Sequence, residues 1–358
     1  MIQVRTLTDG GQSPLEIARL LASFVERAER TLDLALYDIN LADETESLVL
    51  GTLSAAAARG VTVRLLYNVD RRPPGKPAPP PPKTRQEEIE ALPFAKRGVP
   101  GWPDLMHHKY VVRDGACVWT GSTNWTDDSW SREENVIAVV DSKAVARRFA
   151  EDFMQLWREQ QVSRSGKVSS KSTDGVRVWF CPKRGSRLAH RIAHAIATAE
   201  RRVRIASPVI TSGPILGSLA EVVADGRVDV AGVVDNTQVN EVLLQWAANP
   251  IQTWKAPALR ATLAGAPFSG KVSTPYAPGS VHDYMHAKVS VCDDTVFLGS
   301  FNLSHSGESN AENVLEFDDV VIADRLARFV DDVRARYPAA NLASAVRPLR
   351  KSVRAPGP

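Results

Sequence analysis

The sequence predicts an α/β protein of two tandem modules, each a mixed, largely parallel sheet flanked by helices, with the two packed as a pseudo-dimer. Three observations carry this expectation. Strands and helices alternate along the chain, the rhythm that lays helices over a mostly parallel sheet. The residues His107, Lys109, Asp114, Gly121, Ser122 and Asn124 recur as His286, Lys288, Asp293, Gly299, Ser300 and Asn302. The copies keep one frame: the histidines are 286 − 107 = 179 positions apart, the serines 300 − 122 = 178, and Glu134 and Glu312 also 178.

The elements follow in order. Ile2 to Leu7 reads as an opening strand, and apolar residues at helical spacing from Leu15 to Ala28 as an amphipathic helix. Thr31 to Tyr37 alternates as a strand, Leu48 to Ala58 is an alanine-rich helix stopped by Gly60, and Val61 to Tyr67 is a strand. Residues 71–105 break the rhythm with repeated prolines, which suit an extended surface insertion around a short helix at Arg85 to Leu92. The first motif, residues 107–124, falls on a strand (Tyr110 to Val112), a turn and a return strand (Ala116 to Thr120). A strand at Asn135 to Val140 and a helix from Ser142 to Gln160 close the first module, residues 1–160. Residues 161–175, rich in Ser, Lys and Thr, read as a linker.

The second module, 176–340, repeats the order, with strands at Arg177 to Cys181, Arg202 to Ser207 and Val228 to Asp235. Helices fall at Arg187 to Ala199 and Ile215 to Ala224. The second motif, 286–302, precedes a polar loop (Leu303 to Glu312), a strand (Val314 to Phe317) and a closing helix (Ala323 to Tyr337). Residues 341–358 form a basic tail expected to be disordered.

The 358 residues suit two domains of ordinary size, and 44% hydrophobic with 24% charged residues is a globular composition. The net charge of +3 is milder than that of a dedicated nucleic-acid binder. Three widely spaced cysteines, Cys117, Cys181 and Cys292, suggest reduced core residues. With no signal-like N-terminus and no long apolar run, a cytoplasmic chain without a transmembrane segment is expected.

On a strand, residues i and i+2 share a face, so His107 emerges beside Lys109 and His286 beside Lys288, while His108 and Ala287 point away. With the two modules packed strand to strand, two imidazoles, two ammonium groups and the amides of Asn124 and Asn302 converge. Lysine is a rare metal ligand, so this donor set suits a phosphate better than a cation. One neutral histidine can attack phosphorus while the protonated other supplies a proton to the leaving oxygen. His190 and His194, four apart on a helix, lack a third ligand and read as a solvated face. His282 is a candidate for the pocket mouth. Trp102, Trp125, Trp130 and Trp254 lie in loops near the motifs, where packing is the commonest role.

The repeated His-x-Lys-x4-Asp-x6-Gly-Ser-x-Asn pattern resembles the signature of the phospholipase D superfamily. The first copy matches throughout; in the second only five residues separate Asp293 from Gly299, so either the turn is tighter or Asp294 takes the aspartate's place. The resemblance implies phospholipase D-like modules and a metal-independent, ping-pong phosphodiester transfer through a covalent phosphohistidine, with no cofactor. It implies catalytic roles for His107, Lys109, Asn124, His286, Lys288 and Asn302, with Glu134 and Glu312 each bonding the far nitrogen of a histidine. Glu133 is set aside because Ala311 stands opposite it at that spacing. Asp114, Ser122, Asp293 and Ser300 are implied as supporting residues.

His107 is the expected nucleophile and His286 the expected acid, with the reverse assignment open. The expected substrate is a phospholipid headgroup diester, for which the apolar stretch Leu92-Pro93-Phe94, Val99 to Pro103 and Leu105-Met106 speaks. A nuclease acting on DNA or RNA, suggested by Thr120 to Thr126 and Glu134-Asn135, is the alternative; an inactive phosphate-binding module is a third. A monomer making at most peripheral membrane contact is expected.

Overall fold

The computed structural model describes residues 1–69, 84–247, 254–277 and 279–342. The prolines between 73 and 82, and residues 343–358 of the basic tail, lie outside the described residues.

The first module contributes β1 (Ile2–Leu7), α1 (Pro14–Glu26), β2 (Thr31–Leu36), β3 (Ile39–Asn40), α2 (Asp43–Ala58), β4 (Thr62–Val69), α3 (Gln86–Ala91) and β5 (Ala95–Pro100). It continues through β6 (Lys109–Arg113), β7 (Cys117–Gly121), β8 (Trp125–Thr126), α4 (Asp127–Ser131), β9 (Asn135–Asp141) and α5 (Lys143–Glu159). The second module holds β10 (Val176–Phe180), α6 (Gly185–Ala197), β11 (Arg202–Ala206), α7 (Gly213–Asp225), β12 (Asp229–Asp235), α8 (Asn236–Ala247), α9 (Lys255–Gly265) and β13 (Phe268–Lys271). It closes with β14 (Val289–Cys292), β15 (Thr295–Gly299), α10 (His305–Ser309), β16 (Asn313–Asp318) and α11 (Val320–Arg336). Side-chain caps fix several helix starts: Ser13, Ser142 and Asp319 accept the backbone N–H three residues on.

Each module forms a seven-stranded sheet, ordered β1-β9-β7-β6-β2-β4-β5 and β10-β16-β15-β14-β11-β12-β13. The sheets are mixed, as expected, but not largely parallel. Only β2-β4-β5 and β11-β12-β13 pair in parallel; every other neighbour in the two sheets is antiparallel. The physical reason is the hairpin that each motif builds: β6-β7 and β14-β15 are joined by tight turns, which permit only antiparallel pairing. The expected surface insertion also contains more structure than a loop. Its helix is present at Gln86–Ala91, and β5 then adds an edge strand against β4. Pro100 at the end of β5 fits an edge, where its missing N–H breaks no ladder. The stretch between the modules holds a short turn, Val162–Arg164, with Val162 and Val168 buried. The polar loop after the second motif carries α10.

A layered core results. α1 and α2 cover the outer face of the first sheet through Ile17, Leu21, Val49 and Leu53. α6 and α7 cover the outer face of the second through Leu188, Ile192, Leu216 and Leu219. Between the sheets lies one cluster drawn from both modules, including Tyr110, Phe149 and Phe153 from the first and Phe180, Met285, Leu315 and Val330 from the second. Phe149, Phe153 and Phe180 are wholly buried there, each contributing roughly 2–3 kcal/mol of transfer free energy. The three cysteines are free and buried in the core.

Across this shared layer the modules exchange equivalent bonds. His107 N donates to Ala311 O at 3.0 Å, and His286 N to Glu134 O at 3.1 Å. Such reciprocity is the mark of a two-fold, isologous contact.

Candidate active site

Both motif hairpins are pinned in the same way. The Asp114 carboxylate accepts the backbone N–H groups of Glu29, Arg30 and Thr31, and Asp293 accepts those of Glu200, Arg201 and Arg202. These bonds hold both carboxyls below the usual range, against a burial contribution that acts upward. Both aspartates adopt positive φ, 55° and 53°, where Asp is among the better-tolerated residues. The second hairpin is therefore one residue tighter, and Asp293 keeps the motif position rather than ceding it to Asp294. The motif glycines are fixed by close approach: a Cβ on Gly121 would lie 2.1 Å from Val136 O, and one on Gly299 2.1 Å from Asn313 O.

His107, His286, Asn124 and Asn302 line one cleft of about 580 Å³. Neither amide side chain makes a hydrogen bond among the described residues, and both Oδ1 atoms are buried. The ammonium of Lys109 donates to His107 O at 2.9 Å and that of Lys288 to His286 O at 2.6 Å, so each lysine is tied to its own motif histidine. Tyr37 meets the His107 ring edge-on at 4.6 Å between centroids and lies under Lys109 at 4.9 Å. His108 points the other way, 3.0 Å from Asp152 and 3.2 Å from Asn313 Oδ1 in the shared core. His282 lines the cleft, as do Tyr276 and Tyr284.

Each histidine is held by the opposite module. Glu312 lies 2.8 and 2.9 Å from His107 Nδ1, which leaves Nε2 as the nitrogen free to react. Ser300 Oγ donates to the same carboxylate, as does Asn310 Nδ2 at 3.4 Å. At His286 the expected acid is corrected. Glu134 does not reach the ring; it bonds Lys271 at 3.0 Å and Tyr337 instead. Glu133 Oε2 lies 3.3 Å from His286 Nδ1, and Asn135 Oδ1 3.2 Å from it. Ser122 Oγ donates to that Asn135 oxygen, as Ser300 donates to Glu312.

The cause is a register difference. Gly121 pairs with Ile137, sixteen positions on, whereas Gly299 pairs with Val314, fifteen on. The first module thus carries one extra residue ahead of its strand, making Asn135 the structural counterpart of Glu312 and Glu134 that of Ala311. Glu-x-Asn at 133–135 faces Asn-x-Glu at 310–312: both shells hold one acid and one amide, in exchanged places. That exchange is visible in the sequence and was the signal available for Glu133.

Enclosing these charges shifts them strongly. Burial, reinforced by the ammonium groups, pushes both imidazoles well below their usual range. Burial lowers Lys109 to about 7, and Lys288 well down as well, with Lys109 repelling it. Burial raises Glu133 and Glu312 to about 7 each. A site that dehydrates cations this strongly is one that a phosphate anion would stabilise. Among the described residues no group of three or more His, Cys, Asp or Glu could hold a metal ion, and His190 and His194 are exposed on α6.

The apolar stretch expected at the approach lies largely elsewhere. Leu92 and Phe94 pack on the first module's outer core, Val99 and Met106 are fully buried, and of these residues Leu105 alone lines the cleft. Trp125 and Trp130 are core residues, while Trp254 is exposed.

A family model described as "Cardiolipin synthase, PLD-like domain" matches residues 21–157 and 192–333, one segment per module. A "Mitochondrial cardiolipin hydrolase" of Xenopus tropicalis is 26% identical over 137 residues, 37% of this chain and 57% of that protein. A "Phospholipase D" of Rickettsia felis is 28% identical over 153 residues, 42% of this chain and 66% of that protein. The chain thus spans somewhat over half the length of these curated relatives. Among solved structures, the phosphatidylserine synthase of Haemophilus influenzae shares the fold with a TM-score of 0.63 at 13% identity, over 93% of this chain and 86% of that one.

Proposed function

The chain belongs to the phospholipase D superfamily, and we propose that it is a metal-independent phosphodiesterase with one active site at the junction of its modules. The carrying observation is that each motif histidine lies in one cleft with its Nδ1 held by a side chain from the opposite module.

His107 is the proposed nucleophile, because the Glu312 carboxylate contacts its Nδ1 more closely than either partner contacts His286. Nε2 of His107 forms a bond to phosphorus as the bond to the leaving oxygen breaks, and protonated His286 supplies that oxygen's proton. His286 then takes a proton from water or an acceptor alcohol, whose oxygen displaces His107 from phosphorus. Bound phosphate raises the proton affinity of His286, which burial and the ammonium groups of Lys288 and Lys109 otherwise hold low. Lys109, Lys288, Asn124 and Asn302 hold the non-bridging oxygens, whose charge grows in the transition state. Asp114, Asp293, Ser122 and Ser300 fix the hairpins and strands that carry these groups.

The proposed substrate is a phospholipid. The family description and the names of the relatives support it, and so does the cleft wall, which includes Val209, Val242, Trp246, Tyr276 and Tyr284. Apart from the motif lysines Lys109 and Lys288, which sit against the histidine carbonyls, Lys255 is the one Lys or Arg among the described lining residues, unlike the basic track that follows a polynucleotide backbone. Leu244, Trp254, Val272 and Val281 are exposed large apolar residues, each adjacent in sequence to a lining residue. That rim suits peripheral contact with a lipid surface, and no helix among the described residues is long and apolar enough to cross a membrane. The test is turnover of phosphatidylcholine, phosphatidylglycerol and cardiolipin vesicles against DNA, RNA and a chromogenic bis-ester. Cleavage of lipid with no cleavage of polynucleotide is expected; the opposite pattern overturns the substrate, and no turnover at all overturns the enzyme.

A further inference from the structure

Between β12 and β13 the second module carries α8 and α9, whereas among the described residues the first module has α3 between β4 and β5. This excursion brings Lys255, the first residue of α9, to the wall of the catalytic cleft. The residue is 8% exposed, and its ammonium donates to Thr211 O at 3.0 Å. The indole rings of Trp246 and Trp254 lie 5.8 and 5.9 Å from the nitrogen. Among the described residues no carboxylate forms an ion pair with it at 4 Å or less; Glu308 lies farther off and favours its charge, while burial disfavours it. Helix stability does not account for the placement, because a cation in the first turn opposes the helix dipole. Three features therefore coincide: a cation whose one hydrogen bond goes to a neutral acceptor, with the Glu308 carboxylate beyond contact; an aromatic frame; and an opening onto the space where substrate sits.

We infer that Lys255 is a specificity residue that binds a second anionic group of the substrate, a phosphate or a carboxylate, beyond the scissile diester. The inference rests on the phosphodiesterase reading above. It implies a preference for lipids whose headgroup side bears an additional negative charge over those whose headgroup is neutral or cationic. Thr211 O takes one of the three N–H donors and leaves the others for the ligand.

The test compares kcat/KM for cardiolipin, which carries a second phosphate, and phosphatidylserine, which carries a carboxylate, with that for phosphatidylcholine. In Lys255→Met the preference for the anionic headgroups should fall roughly tenfold or more, the size of one charge-assisted hydrogen bond, and through KM. Lys255→Arg should retain most of it. Using a ratio cancels any general loss of folded enzyme. Loss confined to cardiolipin assigns the site to phosphate, and loss confined to phosphatidylserine to carboxylate. An unchanged ratio in Lys255→Met overturns the inference. A second readout needs no turnover: quenching of tryptophan fluorescence in the wild-type chain by glycerophosphoserine or bis(glycerophospho)glycerol, against glycerophosphocholine. Equal affinity for all three overturns the inference even if no substrate is cleaved, whereas selective binding without turnover supports the subsite and refutes the enzymatic reading.

Discussion

Replacing Glu133 by glutamine removes a carboxylate 3.3 Å from His286 Nδ1 while keeping its size and its contacts with Ser129 and Asn135 in reach. A buried hydrogen bond to a charged partner contributes about 1.5–3 kcal/mol, or roughly 10- to 150-fold in rate. Asn135 Oδ1 still accepts from the imidazole at 3.2 Å, so the lower part of that range, about 10- to 30-fold in kcat, is expected. The sign of the pH effect follows from charge. A carboxylate favours the imidazolium, so its removal makes His286 lose its proton at lower pH. The alkaline limb of the kcat profile should therefore move to lower pH. Glu134→Gln, one position away, should leave kcat and the profile near wild type. It weakens instead the clasp on buried Lys271, which keeps Asp9 at 3.1 Å and Arg132 O at 2.7 Å, costing about 1–3 kcal/mol of stability. Steady-state kinetics across pH on both variants, with urea unfolding, measure all of this. Wild-type kinetics in Glu133→Gln, or an equal kinetic loss in Glu134→Gln, would refute the assignment.

Other consequences can be checked separately. His107→Asn and His286→Asn should each abolish turnover, while saturating EDTA should leave the wild type unchanged; activity in either variant, or its loss in EDTA, contradicts the mechanism. Asp293→Ala removes the acceptor of three backbone N–H groups and puts alanine at positive φ, so unfolding should be easier by about 2–3 kcal/mol. Glu312 is raised from 4.5 to about 7, so the folded chain binds its proton more readily than the unfolded one. Its contribution to stability is full below pH 4.5 and is lost as pH rises through about 7. Glu312→Gln should flatten that dependence, measured as urea midpoints near pH 5 and pH 8; a slope equal to wild type contradicts the burial argument.

The duplication and its motif elements were legible because alternation and fixed spacing are local properties. The strands around each motif and the turning of His108 away from the cleft follow from periodicity, and Ser142 capping α5 from residue type. Pairing direction was not legible: the hairpins that make β6-β7 and β14-β15 antiparallel outweigh the strand-helix-strand rhythm. β5 was hidden because, on a sheet edge, Ala95-Lys96-Arg97-Gly98 shows no apolar alternation. The 178-position spacing shared by Glu134 and Glu312 misleads, because the first module carries one extra residue ahead of β9 and so sets Asn135, not Glu134, opposite Glu312. The apolar approach failed for a different reason, since hydrophobicity does not say whether Phe94 or Val99 faces a cleft or a core.

The central claim is that two motifs form one site in which His107 takes the phosphoryl group. Rapid quench at neutral-to-alkaline pH, which preserves the acid-labile phosphorus–nitrogen bond, followed by peptide mass spectrometry, tests it most directly. A phosphorus-linked adduct on His107 should form in the wild type and, with a nitrophenyl diester whose leaving group needs no proton, persist longer in His286→Asn, whose second step lacks its base. An adduct found only on His286, with none on His107, would contradict the account.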